Sequence, residues 1–484
     1  DGNSILREVD VVHPAAKHMM ELSRILDEEV GDGTTSVVIL TGELLALAEP
    51  LVEKGVHPLD IIRGYNKALE DIVKYIHAQP ISHALDTDNE EDFEVVVRSC
   101  LGTKVSSKHH DVICPMVIQA VKRIHEVSEQ GTQYVDIKRL IKIEKIPGGT
   151  FLDSELLRGV MINKDLVHPR MRRTIDNPRV ILLDTPLEYK KPETSFTMEV
   201  QNDEDFEKLI LMEEEYVRSL CNSIIKHKPD IVVTEKGVSD LAAHFLYRAN
   251  ISVLRRVRKT DNIRIGKACG AKINSSVEEI EADSVGTKCG LFTIKRIGDE
   301  SFSYFIKCED SKACTIVLRG ASKDALNEAE RNLRDALCVA RNVLMDPRVV
   351  YGAGAVEFEL SKSLLERSSE IEGLQQIAYR KVSCALEVIP RTLAENCGGR
   401  VVGILTELRS RHNAPNGNCW GIDGITGKII DVQSANILEP VAVKRQVYKT
   451  AIEAASTMLR IDDVISGMRG KGDQSASKHA SPEE

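Results

Sequence analysis

Apolar residues recur at three- and four-residue intervals near the start of the chain and predict a series of amphipathic helices. The clearest covers residues 34–54, where the shared apolar face consists of Val37, Leu40, Leu44, Leu45, Ala48 and Leu51. Two further helices, at 14–29 and 58–77, each begin at a proline, which suits the first turn of a helix. The apolar run 5–9 before them predicts a short strand. The chain therefore opens as a largely helical block.

A second pattern fills the middle of the chain, where short apolar strands alternate with helices. The predicted strands lie at 180–184, 231–234 and 251–255, and the predicted helices at 239–250 and 260–270. The charge-rich run 187–215 is typical of a loop followed by a solvated helix. This alternation indicates a separate α/β domain.

The last part of the chain returns to a helical pattern. Helical segments are predicted at 320–345, 356–394 and 440–459, a tight hairpin at 419–427, and disorder from Met468 onward. Because helical blocks at both ends enclose the α/β block, we expect the two ends to fold together around an inserted domain. A strand is predicted at 138–145, and Pro147, Gly148 and Gly149 after it form a candidate hinge at the start of that insertion.

Composition narrows the function classes. The 484 residues are 42% hydrophobic, enough for several cores, and carry a net charge of −10, which gives no reason to expect nucleic acid or an anionic membrane as partner. No run of 18 apolar residues exists and the first residues are polar, so we expect neither a membrane span nor a secretory signal. The 11 cysteines contain no CxxC pair, which argues against zinc and favours reduced thiols. Cys308 and Cys314 flank a short loop and leave a disulfide open, although free thiols are favoured.

The turn between the first two long helices carries the chemistry of a phosphate site. Gly31 and Gly33 flank Asp32, and the hydroxyl residues Thr34, Thr35 and Ser36 follow at the start of a helix. Glycines allow close backbone approach, the helix N-terminus attracts anions, and an aspartate suits Mg²⁺. An ordinary turn with a hydroxyl side chain capping a core helix explains the same residues equally well. No G-x-x-x-x-G-K-[ST] motif exists, so this is not a Walker-type loop.

Several runs of the sequence resemble the group II chaperonins. Residues 28–36 (EEVGDGTTS) are similar to the nucleotide signature of chaperonins. The runs similar to the eukaryotic cytosolic branch of that family, CCT/TRiC, are 145–149 (KIPGG), 158–165 (RGVMINKD), 168–173 (HPRMRR), 257–262 (VRKTDN) and 459–463 (LRIDD). The resemblance covers the chain up to about Gly467.

The resemblance implies an α+β multidomain chaperonin (GroEL-like) fold. A helical equatorial domain is expected from 1–84 and 346–484, a small α/β intermediate domain from 85–153 and 314–345, and an inserted α/β apical domain from 154–313. The charge-rich run at 187–215 matches the helical protrusion that serves as a lid. Asp1 falls in a turn that in the family follows a strand and a phosphate loop. We therefore expect a fragment or a truncated form that binds no ATP and enters no ring by itself.

The resemblance also implies ATP and Mg²⁺ as cofactors. Asp32 is expected to bind Mg²⁺, and the residues expected at the phosphates are Gly33, Thr34, Thr35 and Ser36. Asp1 and Asp335 match the two carboxylates that activate the attacking water, so they are the candidate catalytic residues. Thr103 and Lys104 are expected beside the nucleotide, although an ordinary helix end accounts for them equally well. Without the resemblance, Asp335 is only a charge on the surface of a helix.

The C-terminal block is expected to hold the base and the ribose. The residues that match the family there are Gly352, Gly354, Asp423, Gly424, Glu439 and Lys444. Ala353 replaces the middle glycine of the family's triple-glycine turn, which leaves the ribose contact in doubt. Glu439 matches the acidic residue on the ribose hydroxyls, but a glutamate near a helix N-terminus with a solvated lysine is the alternative.

By resemblance, the chain is a cytoplasmic subunit of an ATP-driven hetero-oligomeric double ring with eight different subunits per ring, which folds proteins such as actin and tubulin. No membrane or nucleic acid is expected as partner. Asn262, Arg264 and Lys267 share one helix face that would meet substrate, although such polar side chains usually only face solvent. A structural ring subunit with little ATPase activity is the main alternative. A free-standing nucleotide-binding enzyme is disfavoured, since no separate small-molecule site appears.

Overall fold

The computed structural model describes residues 2–78, 81–87, 89–128, 130–131, 133–189, 203–414 and 417–464. The predicted disorder beyond Met468 and most of the predicted loop at the start of the protrusion lie outside these residues. The helices of the described part are α1 (Gly2–Glu8), α2 (Pro14–Glu29), α3 (Thr34–Glu53), α4 (Pro58–Ile76), α5 (Glu90–Leu101), α6 (His110–Ile124), α7 (Ile137–Leu140), α8 (Asp203–Ile225), α9 (Asp240–Arg248), α10 (Lys259–Cys269), α11 (Lys323–Met345), α12 (Ala355–Arg367), α13 (Gln375–Leu386), α14 (Val388–Asn396), α15 (Val401–His412) and α16 (Val441–Met458).

The strands form several small sheets rather than one large one. They are β1 (Ser82–Ala84), β2 (Glu126–Val127), β3 (Gln133–Tyr134), β4 (Ile141–Pro147), β5 (Glu155–Leu157), β6 (Gly159–Ile162), β7 (Thr174–Asp176), β8 (Val180–Leu183), β9 (Ile231–Thr234), β10 (Ser252–Leu254), β11 (Ile273–Asn274), β12 (Leu291–Ile297), β13 (Glu300–Ile306), β14 (Cys314–Gly320), β15 (Arg348–Tyr351), β16 (Trp420–Ile422), β17 (Ile429–Asp431) and β18 (Leu438–Pro440). The sheets have the strand orders β1-β15-β18, β10-β9-β8-β11, β6-β13-β12-β7, β4-β14-β5, β16-β17 and β2-β3.

One large apolar core combines the two ends of the chain. It is formed by α3 and α4 from the first block and by α12, α13 and α16 from the last. Val37, Leu40 and Leu44 of α3 are at most 1% exposed within it, because their helical spacing places them on one face. Segments from the two ends of the chain therefore pack together in this core.

A second core joins the middle of the chain to the long helix α11. It contains apolar residues of α5 and α6 together with Leu333, Leu337 and Val343 of α11. The sheet β4-β14-β5 lies beside it and contributes Ile141, Cys314 and Ile316. Residues far apart in the sequence thus share a second cluster, separate from the first.

The segment between β4 and β14 has apolar clusters of its own. The sheet β10-β9-β8-β11 is parallel, and its buried strands lie between clusters that include α8 and α9 on one side and α10 on the other. A second, antiparallel sheet, β6-β13-β12-β7, packs through Phe292 and Phe305. Strands alternating with helices predicted this arrangement, since a parallel crossover needs a helix.

Two adjacent strands connect this segment to the rest of the chain. β4 pairs in parallel with β14 along its whole length, from Ile141 opposite Cys314 to Pro147 opposite Gly320. Just beyond, the N–H of Gly148 donates to the carbonyl oxygen of Gly320 over 2.8 Å. The predicted hinge glycines therefore lie at the end of β14 that leads into α11. The strand that follows them, β5, pairs with β14 again, with Leu157 opposite Thr315, so the chain leaves this sheet only after Leu157.

Two local predictions differ from the structure. The run 5–9 was predicted as a strand, but residues 2–8 form helix α1. Ile5 and Val9 are four positions apart, which suits one helix face, and both are exposed. The predicted strand at 138–145 begins only after the short helix α7, so that β4 starts at Ile141.

One helix of the described part, α3, is long and apolar enough to cross a membrane by length and composition, with a hydropathy of 1.6. Its apolarity has another explanation, because it forms the centre of the first core. Glu43 within it also pairs with Arg391 at 3.1 Å, in a contact that the fold itself supplies.

Candidate nucleotide site

A glycine–aspartate–glycine turn joins α2 to α3. Gly31 and Gly33 have φ values of +77° and +78°, in the region that favours glycine. A Cβ on Gly31 would lie 2.5 Å from Cβ of Cys338 in α11. A Cβ on Gly33 would lie 2.6 Å from Cγ2 of Val447 in α16. The turn is therefore held closely between α11 and α16, and only glycine fits at both positions.

The first turn of α3 presents the hydroxyl residues of the motif. Thr34 is buried, Thr35 is exposed and Ser36 is half-buried. The Oδ1 atom of Asp32 accepts the N–H of Gly33 over 2.8 Å, which fixes the carboxylate at the helix start. The first-turn N–H groups and the helix dipole attract anions, so the turn has the donors and the carboxylate that a metal-bound phosphate requires.

Lys104 and Asp335 form a buried ion pair beside this turn. Nζ of Lys104 lies 2.6 Å from Oδ2 of Asp335, and the two side chains are 15% and 7% exposed. A Cβ on Gly31 would lie 3.6 Å from Cα of Asp335, so this part of α11 directly abuts the turn. Lys104 follows α5 and Asp335 lies in α11, and the packing of those two helices brings the pair together. The two predicted residues thus lie at one place.

The electrostatics of this pair suit proton transfer. Burial raises the pKa of Asp335 to about 6, against the pull of Lys104 and with a contribution from the charge of Asp32. Burial opposes the charge of Lys104, but the neighbouring Cys100 and the carboxylates of Asp32 and Asp335 hold its pKa above the ordinary value. A carboxylate with a pKa near the working pH is an effective general base.

The other predicted residues of this half differ in position. Asp1 lies outside the described residues. Its neighbour Gly2 approaches the turn, because a Cβ there would lie 3.2 Å from Oγ1 of Thr34. Thr103 is exposed in the turn after α5, as an ordinary helix end would place it. Asn3 donates to Asp27 over 2.7 Å and joins α1 to α2.

A second group of polar residues lies at the C-terminal block. Glu439 of β18 pairs with Lys444 of α16 at 2.9 Å. Gly352 packs against the same glutamate, since a Cβ there would lie 2.7 Å from its Oε1 atom. Burial raises the pKa of Glu439, with Lys444 opposing and the charges of Glu357 and then Asp32 adding to the rise. The glycine-rich turn, the glutamate and the lysine predicted from sequence therefore form one group.

Lys444 is not the solvated lysine of the alternative interpretation. It is 6% exposed, and its second partner is Glu357 of α12, at 2.7 Å. Glu357 is fully buried and also accepts the hydroxyl of Tyr448 over 3.0 Å. Sequence reasoning missed Glu357, although a glutamate flanked by Val356 and Phe358 in an apolar helix was a usable signal.

The glycine-rich turn itself is strained by its alanine. Ala353 has a φ of +54°, which an L-residue adopts only at a cost. Its carbonyl oxygen accepts the N–H of Ile422 over 3.0 Å, so the turn is fastened to β16. Gly354, at φ +82°, then caps the start of α12.

Asp423 and Gly424 lie in the turn of the predicted hairpin. The Asp423 carboxylate accepts the N–H of Ile425 over 2.9 Å and the hydroxyl of Thr426 over 2.5 Å. These bonds lower its pKa, the Thr426 hydroxyl contributing most. The side chain therefore stabilises its own turn. The hairpin reaches the glycine-rich turn through Ile422 and through Gly421, where a Cβ would lie 2.9 Å from the carbonyl oxygen of Ala353.

Contacts that the sequence did not reveal attach α11 to the turn. Nδ2 of Asn342 donates to the carbonyl oxygen of Val30 over 3.1 Å, and Arg341 donates to that of Glu29. Both acceptors are the orphan carbonyls at the end of α2. Asparagine within a helix carries no pattern that sequence analysis recognises.

The donors present fit ATP with Mg²⁺. The close packing at Gly31 and Gly33 keeps the turn backbone bare, the helix start supplies N–H groups, and Asp32 supplies the hard oxygen ligand that Mg²⁺ prefers. Glu439 provides an acceptor of the kind that ribose hydroxyls donate to.

The polar face of α10 that was expected to meet substrate makes contacts with other residues of the same chain. In α10, Arg264 pairs with Asp261 at 2.8 Å and donates to the carbonyl oxygen of Lys138 over 3.0 Å. Asn262 is buried, and Lys267 pairs with Glu126 at 3.2 Å. A cleft of about 1130 Å³ lies between α10, with Asp261 and Arg264, and the helices α2 and α11, with Asp27 and Asp335. In this structure, Asn262 and Arg264 are thus internal contacts rather than free surface.

Comparisons with known proteins identify the family of this chain. The model of the TCP-1/cpn60 chaperonin family matches residues 1–469. T-complex protein 1 subunit gamma of Bos taurus is 52% identical over 483 residues, covering 100% of this chain and 88% of the relative. The protein of the same name from Oxytricha granulifera is 53% identical, with 98% and 87% covered. An open-state monomer of a group II chaperonin from Methanococcoides burtonii is 34% identical with a TM-score of 0.68, covering 89% of this chain and 100% of that one.

The family model spans nearly the whole chain, and the two relatives are more than 50% identical to it over 98% or more of its length. The resemblance inferred from the sequence runs is thereby confirmed, and with it the chaperonin fold class. This chain belongs to the TCP-1/cpn60 chaperonin family.

Proposed function

We propose that this chain acts as an ATP-hydrolysing subunit of a cytoplasmic hetero-oligomeric chaperonin ring, and that it binds ATP there together with the other subunits rather than by itself. As a chaperonin this chain assists protein folding. ATP binding and hydrolysis would close the folding chamber. Eight different subunits per ring, and substrates such as actin and tubulin, are the corresponding partners. The observation that carries the nucleotide part is the buried Lys104–Asp335 pair, which adjoins the Gly31–Gly33 turn.

The proposed roles follow from the contacts. Asp32 would hold Mg²⁺, while Gly33, Thr34, Thr35 and Ser36 would hold phosphate oxygens with backbone N–H groups and hydroxyls. Bound Mg²⁺ would supply neutralisation of the phosphate charge. Asp335 would orient the attacking water and accept its proton at a carboxylate oxygen. Lys104 would keep enough of the Asp335 carboxyl ionised for that task.

The three-part division of the chain is part of the proposal. The first core would be the equatorial domain, the second the intermediate domain, and the segment between β4 and β14 the apical domain. Asp335 belongs to α11 of the second core, whereas the turn belongs to the first. Movement of one core against the other would therefore change the distance between base and nucleotide, which couples hydrolysis to closure.

A structural ring subunit is the second candidate. Two observations favour it: the base is already paired with Lys104, and Ala353 occupies a backbone conformation that suits glycine. Such a subunit would hold its place in the ring while its neighbours turn over ATP.

A photoreactive ATP analogue distinguishes the two. Rings assembled with this chain are labelled with Mg²⁺ present, and the labelled subunits are identified by mass. We expect labelled peptides around the Gly31–Gly33 turn. Hydrolysis should release the terminal phosphate as inorganic phosphate and leave the labelled diphosphate attached to this chain. If only the neighbouring subunits are labelled, this chain has the structural role and not the ATP-hydrolysing one.

A further inference from the structure

Three cysteines from three separate elements meet inside the segment between β4 and β14. Cys269 is the last residue of α10, Cys289 precedes β12 and Cys308 follows β13. Their sulfur atoms all lie within 4.8 Å of one another. Cys269 and Cys289 are at most 1% exposed, and Cys308 is half-buried. All three are free thiols, and Cys314, the disulfide partner considered for Cys308, is free as well.

The fold fixes this meeting point firmly. β12 and β13 pair with Leu291 opposite Ile306, and the same register carried outward sets Cys289 opposite Cys308. The N–H of Glu309 donates to the carbonyl oxygen of Lys288 over 2.9 Å, so the pairing continues past the cysteines. The N–H of Lys288 in turn donates to the carbonyl oxygen of Cys269 over 3.1 Å, which fastens the end of α10 to the hairpin.

Packing alone does not explain the cluster. A single buried cysteine behaves as a small apolar residue, but here three sulfurs lie around a common point. Their protein contacts are otherwise weak: Sγ of Cys289 lies 3.6 Å from the carbonyl oxygen of Leu291, and Sγ of Cys308 lies 3.7 Å from that of Phe305.

We propose that Cys269, Cys289 and Cys308 form a three-thiolate site for a soft monovalent metal ion, with copper(I) as the ion that fits. Metal–sulfur bonds of about 2.3 Å around one ion separate the sulfurs by about 4 Å, within the observed limit. Thiolates select copper(I), zinc and iron–sulfur clusters. Structural zinc sites and iron–sulfur clusters take four protein ligands, and a three-ligand zinc site completes its shell with water. The described residues supply no fourth cysteine, histidine or carboxylate to this cluster, and two of its three sulfurs belong to side chains at most 1% exposed, which favours the three-coordinate ion.

Binding is an exchange of protons for the metal. Each S–H bond is replaced by an S–Cu bond, the protons of those thiols go to solvent, and copper stays in the +1 state. Lys288 and Lys307 directly precede the two hairpin cysteines and place positive charge near the anionic centre. A bound ion would cross-link α10, β12 and β13, and would stabilise this segment accordingly.

The test is copper(I) titration of the full chain, reduced and without oxygen, against a competing copper(I) chelator. Every variant carries Cys384→Ala, since Cys384 is exposed and would bind copper adventitiously. We expect one tightly held copper(I) per chain, with three sulfur neighbours by X-ray absorption. Cys289→Ser should weaken binding at least 100-fold. Cys221→Ser is the matched control, because Cys221 is equally buried but its sulfur contacts the carbonyl oxygen of Ala242.

A second readout does not depend on whether a variant folds. In the unsubstituted chain, bound copper(I) should protect Cys269, Cys289 and Cys308 from alkylation, as peptide masses show, and leave Cys384 reactive. Undiminished copper binding in Cys289→Ser would overturn the site. Stoichiometric zinc binding without copper(I) binding, or a disulfide within the cluster of the protein as isolated, would overturn it too.

Discussion

Nζ of Lys104 lies 2.6 Å from Oδ2 of Asp335, across 231 positions of sequence. One partner follows α5 and the other lies in the middle of α11, so the pair exists only when the second core is assembled. The Gly31–Gly33 turn of the first core abuts the same place. The pair therefore lies where the second core meets the first.

Asp335→Asn tests the proposed base. Asparagine keeps the shape and an oxygen for Lys104 but cannot accept a proton, so hydrolysis should fall by about 10²- to 10⁴-fold, the usual contribution of such a group. Nucleotide affinity should change little, as titration with labelled ATP will show. Asp324→Asn, in the exposed first turn of the same helix, is the control and should leave both unchanged. A matching loss of affinity in Asp335→Asn would contradict the role.

The pH dependence of hydrolysis follows from the pKa of about 6 for Asp335. The base works when ionised, so the rate should drop as pH falls through about 6, with the slope of one proton. Lys104 lowers this pKa, and Lys104→Met should therefore move the inflection to higher pH. The pKa is raised on folding, so the stabilising contribution of this carboxyl is present in acid and disappears above about 6. A rate profile that is flat between pH 5 and 8 would contradict the assignment.

Asp32→Asn tests the metal ligand. The amide oxygen can still accept the N–H of Gly33, so the turn should persist while the negative charge is lost. ATP affinity with Mg²⁺ should fall by roughly tenfold or more, equivalent to about 1.4 kcal/mol, whereas affinity without Mg²⁺ should hardly change. Equal affinities with Mg²⁺ for the variant and the unsubstituted chain would exclude Asp32 as ligand.

Lys444→Met tests the buried charges of the C-terminal block. It leaves Glu357 fully buried without its cation, which costs about 3–5 kcal/mol of unfolding free energy. Lys449→Met, an exposed site on the same helix, should cost little. The double variant Lys444→Met with Glu357→Gln should regain much of the loss. Urea denaturation measures all three, and equal stabilities of Lys444→Met and Lys449→Met would refute the buried pair.

Ala353→Gly tests the strained turn. Glycine adopts a φ of +54° without penalty, so the substitution should stabilise the fold or tighten nucleotide binding by at most about 1 kcal/mol. Thermal unfolding and ATP titration of the variant are the measurements. An unchanged midpoint and affinity would mean that this turn tolerates alanine.

The sequence predicts the helices of this protein better than the division of the chain into separate cores. Periodic apolar positions predict the ends of five helices within a few residues, because a helix that buries one face repeats apolar residues at helical spacing. These helices are α2, α3, α4, α10 and α16. Run 5–9 was misassigned, since so short an apolar run fits a strand or a helix face. The division into separate cores was expected mainly from family resemblance, and the domain limits remain a proposal.

The candidate site was less accessible to pattern analysis than the fold. The Gly31–Gly33 turn carries a local signal, whereas Asp335 is one acidic residue among many on α11 and needed the family to single it out. Glu357 and Asn342 act only through partners distant in sequence. The three clustered cysteines are spaced by 20 and 19 positions, far from any metal-binding motif, and only the hairpin register brings them together.

The pairing of β5 with β14 also sets a mechanical limit. The chain leaves the second core after Leu157 of β5 and returns to it at Cys314 of β14, and Leu157 lies opposite Thr315. Two connections held side by side resist twisting more than a single connection does. We therefore expect the segment between them to move against the second core by bending rather than by twisting. Because α11 follows β14 directly, such a movement would reach Asp335 through one strand and one helix.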